Sequence, residues 1–242
     1  YDTVDAKWAG QHGIIVTNTP DVLTEEVADT ALGLLLMTIR ELPQSERWLR
    51  AGHWVSKGPY PLTANTLRGK KIGILALGRI GKAIATRCEA FGLTIVYHSR
   101  RKQDDVSYPY YDSLIAMARD VDILMSVAPG GASTKHIINA DVLQALGPQG
   151  VLINIGRGSV VDEAALAKAL RDNIIFAAGL DVFEIEPTTN NNELLKLENV
   201  IITPHNIAWT DELAFGMGRS AFNSIKAISQ GEVPNYVVNK EV

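Results

Sequence analysis

The sequence predicts an α/β fold built on a doubly wound parallel sheet, and two observations carry that prediction. From Lys71 onward, apolar runs of strand length alternate with stretches of helical periodicity. Several of those runs are apolar at nearly every position, as strands covered by helices on both faces have to be. The 242 residues suffice for one large domain, or for one domain plus part of another.

Taken in order, Gly13–Thr17 (GIIVT) reads as a short strand, stopped by Asn18-Thr19-Pro20. A helix follows. Thr24 can cap it, Glu25 and Glu26 lie in the first turn where the dipole favours carboxylates, and Val27, Ala31, Leu34 and Leu35 recur at helical spacing. The segment continues through Trp48-Leu49 to Gly52, and His53–Arg68, with Gly58, Pro59 and Pro61, reads as a loop. Then come strand Lys71–Leu75, helix Gly81–Phe91, strand Leu93–Tyr97, a helix beginning at Ser113–Ala118 and strand Asp122–Val127. Helix Ala140–Leu146, strand Val151–Ile155, helix Glu163–Arg171 and strands Phe176–Leu180 and Val200–Thr203 complete the pattern. No internal repeat or low-complexity segment interrupts it.

Composition narrows the function classes. Hydrophobic residues at 46% and charged residues at 21% are ordinary for a globular chain. A net charge of −4, with Lys and Arg scattered apart from Arg100–Lys102, argues against a nucleic-acid partner. The longest apolar run, Ala31–Ile39, is shorter than the roughly 18–20 residues a membrane span needs, and no secretory signal is visible. Cys88 is the single cysteine and falls in a helical pattern, which suggests a buried thiol in a reducing cytoplasm. The five histidines are scattered, so no metal site is expected. The chain opens at Tyr1 without methionine, inside what reads as a continuing sequence, and is expected to be part of a longer protein.

Leu75-Ala76-Leu77-Gly78-Arg79-Ile80-Gly81 joins a strand to a helix, the setting of a dinucleotide fingerprint and hence of a Rossmann-type sheet. Gly78 would let the backbone approach a pyrophosphate, Gly81 would let helix and strand pack closely, and the helix N-terminus offers unpaired N–H groups. The first glycine of the pattern is replaced by Ala76, at small cost if its φ is negative and with weakened cofactor binding if it is not. At the end of the second strand, where a carboxylate would select NAD by holding the ribose 2′-hydroxyl, stands Ser99, followed by Arg100-Arg101-Lys102. No carboxylate there repels a 2′-phosphate and three cations attract one, so NADP(H) is expected to be preferred, with NAD(H) possible.

Three polar clusters follow predicted strands, at the edge where ligands bind in such sheets. They are Asn154–Asp162 (NIGRGSVVD), Gly179–Pro187 (GLDVFEIEP) and Thr203-Pro204-His205. Arg157, between two glycines, can bind a carboxylate and polarise a keto oxygen. Hydride delivery to a ketone needs a proton donor, and histidine suits that task near neutral pH when a carboxylate favours its charged form. Taken singly, Arg157 reads as a surface pair, Glu186 as the start of a turn and His205 as a satisfied loop histidine. Their joint position after successive strands of one sheet reverses that reading.

With these runs in place, the chain resembles the D-isomer-specific 2-hydroxyacid dehydrogenase family over nearly its whole length. The matching runs are LALGRIG at Leu75–Gly81, NIGRGSVVDEAAL at Asn154–Leu166, GLDVFEIEP at Gly179–Pro187 and TPH at Thr203–His205. Within the family it is most similar to the glyoxylate/hydroxypyruvate reductases, through DVLTEEVAD at Asp21–Asp29, RAGHW at Arg50–Trp54 and SRRK at Ser99–Lys102. The resemblance implies reversible reduction of a small 2-keto acid to the D-2-hydroxy acid. Arg157 would orient substrate, His205 would be the acid/base and Glu186 its support, with Glu184 the competing carboxylate. It implies cofactor contacts from Gly78, Arg79, Ile80, Ser99, Arg100, Arg101, Ala128, Pro129, Thr134, Ile155, Gly156, Asp181 and His205, with Asp181 on the nicotinamide carboxamide. Two further departures from the family pattern are Gly130-Gly131 after Pro129, where Pro-Leu is common, and Asn206, where an apolar residue is frequent.

The resemblance also sets the expected organisation. Residues 30–210 would form the dinucleotide-binding domain, and 1–29 with 211–242 part of a flavodoxin-like substrate domain of roughly 100 residues, the rest of which lies outside this chain. A homodimer formed through the long helix and the loop after it is implied, with Trp54 near the partner's site. The rival class is a corepressor-like regulator that binds the dinucleotide without turnover, or an inactive member of the family.

Overall fold

The computed structural model describes residues 4–239. In chain order the helices and strands are α1 (Ala6–Gln11), α2 (Thr24–Ile39), α3 (Leu42–Arg50), α4 (His53–Lys57), β1 (Lys71–Leu75), α5 (Arg79–Ala90), β2 (Thr94–His98), β3 (Tyr110–Tyr111), α6 (Leu114–Asp120), β4 (Ile123–Ser126), α7 (Ala140–Leu146), β5 (Val151–Asn154), α8 (Glu163–Arg171), β6 (Ala177–Leu180), β7 (Val200–Ile202) and α9 (Asp211–Ser229). By contacts they divide into two compact units, residues 27–207 and the segments flanking them.

The larger unit is a seven-stranded sheet in the order β3-β2-β1-β4-β5-β6-β7, parallel throughout. β1 pairs with β2 on one side and β4 on the other, so the winding reverses there and a crevice opens beyond the carboxyl ends of those strands. Side chains alternate across the pleat. Ala178 packs in the cluster that contains Met117 of α6, Leu143 of α7 and Leu166 of α8. Its neighbour Gly179 faces the other way, against Leu34 and Thr38 of α2. Helices therefore cover both faces, which is why β4, β5 and β6 are buried at every position.

The local causes of these elements are visible in their caps. Ser113, Asn139 and Asp162 each accept an N–H from the first turn of the helix they precede, α6, α7 and α8. Cys88 is fully buried in α5, and burial pushes its thiol pKa up to about 12.

Three local expectations are corrected, and one strand is added. The helical pattern from Thr24 to Gly52 breaks at Arg40-Glu41, where Glu41 takes a left-handed φ of 51° and Pro43 in the first turn of α3 supplies no N–H. The expected loop after it contains the one-and-a-half-turn α4. The short strand expected at Gly13–Thr17 makes a single bridge, Thr17 to Val237, and Ile14 and Ile15 stay exposed. β3 was not expected, since two residues give no periodicity to read.

In the smaller unit, Asn239 ties the two chain segments together. Its Oδ1 accepts the Val16 N–H at 2.9 Å, and its Nδ2 donates to the carbonyls of Ile14 and Ala6 at 2.9 and 3.1 Å. α9 is capped by Thr210 and carries Phe215, Phe222 and Ile225 exposed. No helix among the described residues is long and apolar enough to cross a membrane.

The approach of α2 to β6 makes Gly179 a test of this packing. A Cβ there would meet Thr38 Oγ1 at 2.6 Å and Ile153 Cδ1 at 2.8 Å. Gly179→Ala is expected to destabilise the protein by about 1–3 kcal/mol, read as a lower urea midpoint at unchanged slope. An unchanged midpoint would show that α2 yields freely.

Candidate active site

The loops at the carboxyl ends of the strands carry the residues singled out from the sequence. After β1 the chain turns at Ala76, and α5 begins at Arg79, two residues earlier than its sequence pattern suggests. Gly78 is therefore the N-cap, and no side chain caps the helix, which leaves first-turn N–H groups for a ligand. The Cβ position of Gly78 faces open space, whereas a Cβ on Gly81 would lie 2.7 Å from the Ala76 carbonyl oxygen. Both facts fit a bound pyrophosphate: room above the loop and close packing below it. Ala76 has φ of 73°, the left-handed region, so the conformational requirement for glycine persists although the glycine does not.

Beyond β2, Ser99 Oγ donates to the Arg101 carbonyl at 2.7 Å and shapes the turn that carries Arg100, Arg101 and Lys102. All three cations are exposed, and among the described residues no carboxylate pairs with them. Gln103, given no role from sequence, ties this turn to the glycine loop by donating from Nε2 to the Leu77 carbonyl at 2.7 Å. After β4, Ala128 is buried and Pro129 exposed, and Thr134 Oγ1 donates back to the Pro129 carbonyl at 2.7 Å.

After β5, Asn154 sets the Arg157 loop. Its Oδ1 accepts the Gly156 N–H at 3.3 Å and its Nδ2 donates to the Arg157 carbonyl at 3.0 Å. Ile155 and Gly156 are buried, and Arg157 emerges exposed, with Nη1 donating to the Gly156 carbonyl at 2.8 Å. Gly158 passes so close to the loop after β6 that a Cβ would fall 1.8 Å from the Phe183 carbonyl carbon.

The loops after β6 and β7 meet at a histidine–carboxylate pair. His205 Nδ1 lies 2.6 Å from Glu186 Oε2, and Glu186 Oε1 accepts the Phe183 N–H at 2.9 Å. Glu184 lies elsewhere, 2.7 Å from His136 Nε2. His205 has φ of 52°, a strained conformation for a residue with a Cβ, and its turn is held by Asp181. That carboxylate is fully buried; Oδ1 accepts from Thr203 Oγ1 at 2.6 Å and from the Asn206 N–H at 3.1 Å, and Oδ2 from the Ile207 N–H at 3.2 Å. A cleft of about 400 Å³ adjoins the pair, lined by Phe183, Glu186, Pro187, Ile202 and His205 among others. With Nδ1 engaged by Glu186, Nε2 is the nitrogen left to serve a substrate. Gln103 and the His136–Glu184 pairing escaped sequence reasoning because they join loops distant in the chain, and Asn154 acts within its own loop, where spacing alone assigns its side chain no partner.

A glycine loop at the switch point of a parallel sheet, with an arginine and a carboxylate-held histidine beyond its carboxyl edge, defines a dinucleotide-binding domain of the dehydrogenase type. Residues 32–206 match the family of D-isomer specific 2-hydroxyacid dehydrogenases, NAD binding domain. The chain is 45% identical over 231 residues to glyoxylate/hydroxypyruvate reductase A of Arabidopsis thaliana, covering 96% of this chain and 73% of that protein. It is 41% identical over 249 residues to glyoxylate reductase of Pyrococcus horikoshii, covering all of this chain and 74% of that protein. Among solved structures, the NADPH-dependent glyoxylate/hydroxypyruvate reductase of Sinorhizobium meliloti, determined with NADP and malonate, superposes with a TM-score of 0.95 at 51% identity, covering 100% of this chain and 76% of that one. The chain belongs to the D-isomer-specific 2-hydroxyacid dehydrogenase family.

The strained Ala76 yields a direct test. Ala76→Gly is expected to raise stability by about 1 kcal/mol in urea unfolding, the left-handed penalty net of the extra freedom glycine has when unfolded. A loss of stability would show that the Ala76 methyl packs better than its backbone is strained.

Proposed function

We propose that this protein reduces short 2-keto acids, glyoxylate and hydroxypyruvate foremost, to D-2-hydroxy acids with NADPH preferred over NADH. The observation that carries the reading is the His205–Glu186 pair at 2.6 Å, placed beyond the carboxyl ends of β6 and β7 in a dinucleotide-binding sheet. The names of the relatives support the substrate class, and the NADP in the Sinorhizobium meliloti structure supports the cofactor.

A bound dihydronicotinamide supplies the hydride. The residues of this chain do the rest. The first-turn N–H groups of α5, with Gly78, Arg79 and Ile80, hold the pyrophosphate, and Ser99, Arg100 and Arg101 receive the 2′-phosphate. Ala128, Pro129, Thr134, Ile155 and Gly156 border the cofactor. Arg157 holds the substrate carboxylate and draws charge toward the keto oxygen. His205 Nε2 gives its proton to that oxygen as the bond order to carbon falls, while Glu186 on Nδ1 stabilises the charged ring and fixes its plane. Asp181, besides the nicotinamide contact assigned to it, holds the turn that presents His205.

The segments 1–29 and 211–242 are assigned to the substrate-binding domain, with 30–210 binding the dinucleotide. A homodimer through α2 to α4 and the loop beyond accounts for the exposure of Leu42, Leu49, Trp54, Val55 and Leu62 on one stretch of chain. We assign the enzyme to the cytoplasm, without a membrane or nucleic-acid partner, in keeping with its net charge of −4 and its single cysteine.

Two measurements test this reading. His205→Asn should keep NADPH binding and lower kcat on hydroxypyruvate by about 10²–10⁴-fold, the usual worth of acid–base catalysis; near-normal turnover would remove His205 from the mechanism. Replacing Arg100 and Arg101 with Ala should lower kcat/KM with NADPH by about tenfold or more and leave the NADH value nearly unchanged. Equal losses with both cofactors would discard the 2′-phosphate assignment, and no wild-type turnover with either would favour a dinucleotide-binding regulator.

A further inference from the structure

The site contains a second histidine–carboxylate pair that the mechanism does not use. His136 Nε2 lies 2.7 Å from Glu184 Oε1, with 38% and 32% of the two side chains exposed. The three segments that meet at this pair each carry a different part of the site. His136 is two residues beyond Thr134, Glu184 is two residues before Glu186, and both pack on the segment from Arg157 to Glu163.

The stitching is dense. The His136 N–H donates to the Ser159 carbonyl at 2.8 Å, and Ile138 forms a bridge with Val161. Glu184 Oε1 also accepts the N–H of Glu163, the first residue of α8, at 3.2 Å, and the Glu184 N–H donates back to Glu163 Oε1. Asn192 Nδ2 then spans Glu163 Oε2 and Thr188 Oγ1, each at 3.0 Å. Gly158 leaves no gap between the Arg157 loop and the Phe183–Glu184 backbone. Beyond Glu184 the chain of contacts continues through the Phe183 N–H to Glu186 and from there to His205.

We infer that His136 and Glu184 are positioning residues for keto-acid reduction: their pair clamps the 129–138 loop, the Arg157 loop and the 183–187 loop, and so sets Glu186, and through it His205, against Arg157. The inference rests on the reductase reading for its kinetic consequence, though not for the contacts themselves. His136 holds φ of 51°, a conformation that the surrounding contacts must impose. Loss of either partner releases that loop and lets the 183–187 segment shift. A shift on the order of 1 Å is enough to cost about 10²-fold in turnover.

The test uses the full-length protein. Glu184→Ala is expected to lower kcat about 10–100-fold, with a smaller loss of NADPH affinity through Pro129 and Thr134 on the released loop, because the glycine loop and the turn at Ser99 are untouched. Glu184→Gln keeps an acceptor for both His136 and the Glu163 N–H and should restore kcat to within about threefold of wild type. His136→Ala should match Glu184→Ala, and the double variant should be no worse than either. Hydrogen exchange at the Phe183 amide, which Glu186 protects, should accelerate in Glu184→Ala. A variant with lowered Tm but wild-type kcat per folded molecule, additive losses in the cycle, or unchanged exchange at Phe183 would overturn the inference. If the wild type turns over no keto acid, the reductase reading fails and exchange at Phe183 alone decides the clamp. If Glu184→Ala does not fold, His136→Ala carries the same comparison.

Discussion

The buried carboxylate of Asp181 is the interaction on which the site depends. A charged or polar group without solvent is costly unless its acceptor sites are filled. Here the Thr203 hydroxyl and the backbone N–H groups of Asn206 and Ile207 supply three of these bonds. The same bonds that satisfy the carboxylate bend the chain after β7 into the turn that presents His205. β6 and β7 are adjacent parallel strands, so their carboxyl ends lie side by side, and Asp181 needs no further structure to reach the turn. Glu186, five residues on in the same loop, then pairs with His205 Nδ1.

Strain collects at these loops. Among the described non-glycine residues with positive φ are Ala76 after β1, His136 after β4 and His205 after β7. Each costs of order 1–3 kcal/mol and is held by neighbours rather than by its own preference. For these three the cost is borne beyond the carboxyl edge of the sheet. The packed layers beneath carry the offsetting stability, with β4, β5 and β6 buried at every position between α2 on one face and α6 to α8 on the other.

Much of this was legible from periodicity and punctuation. The run from Lys71 to Thr203 alternates strands and helices with little ambiguity, because both faces of a parallel sheet demand continuous apolar runs. The bridge at Thr17 and the two-residue β3 depend on partners that spacing does not show, whereas the break at Arg40-Glu41 is local, with Pro43 as its signal. The three clusters around Arg157, Glu186 and His205 were legible as positions after strands. Of their partners, only the Glu186–His205 pair was legible, and only through the family resemblance. Glu184 and Glu186 are spaced two apart in one loop, and composition offers no means of telling which of them meets His205.

By itself the sequence determined the sheet, its glycine loop, the absence of a carboxylate at Ser99 and the family, since these are written in local spacing and residue type. Only the tertiary structure decided that Ala76 keeps a glycine-like φ, that Glu184 faces His136, and that Asp181 is a buried anchor. The physical reason is one of range. Periodicity and turn chemistry act over a few residues, whereas a carboxylate chooses its partner by distances of about 3 Å between loops that the chain separates by tens of residues and only the folded sheet brings together.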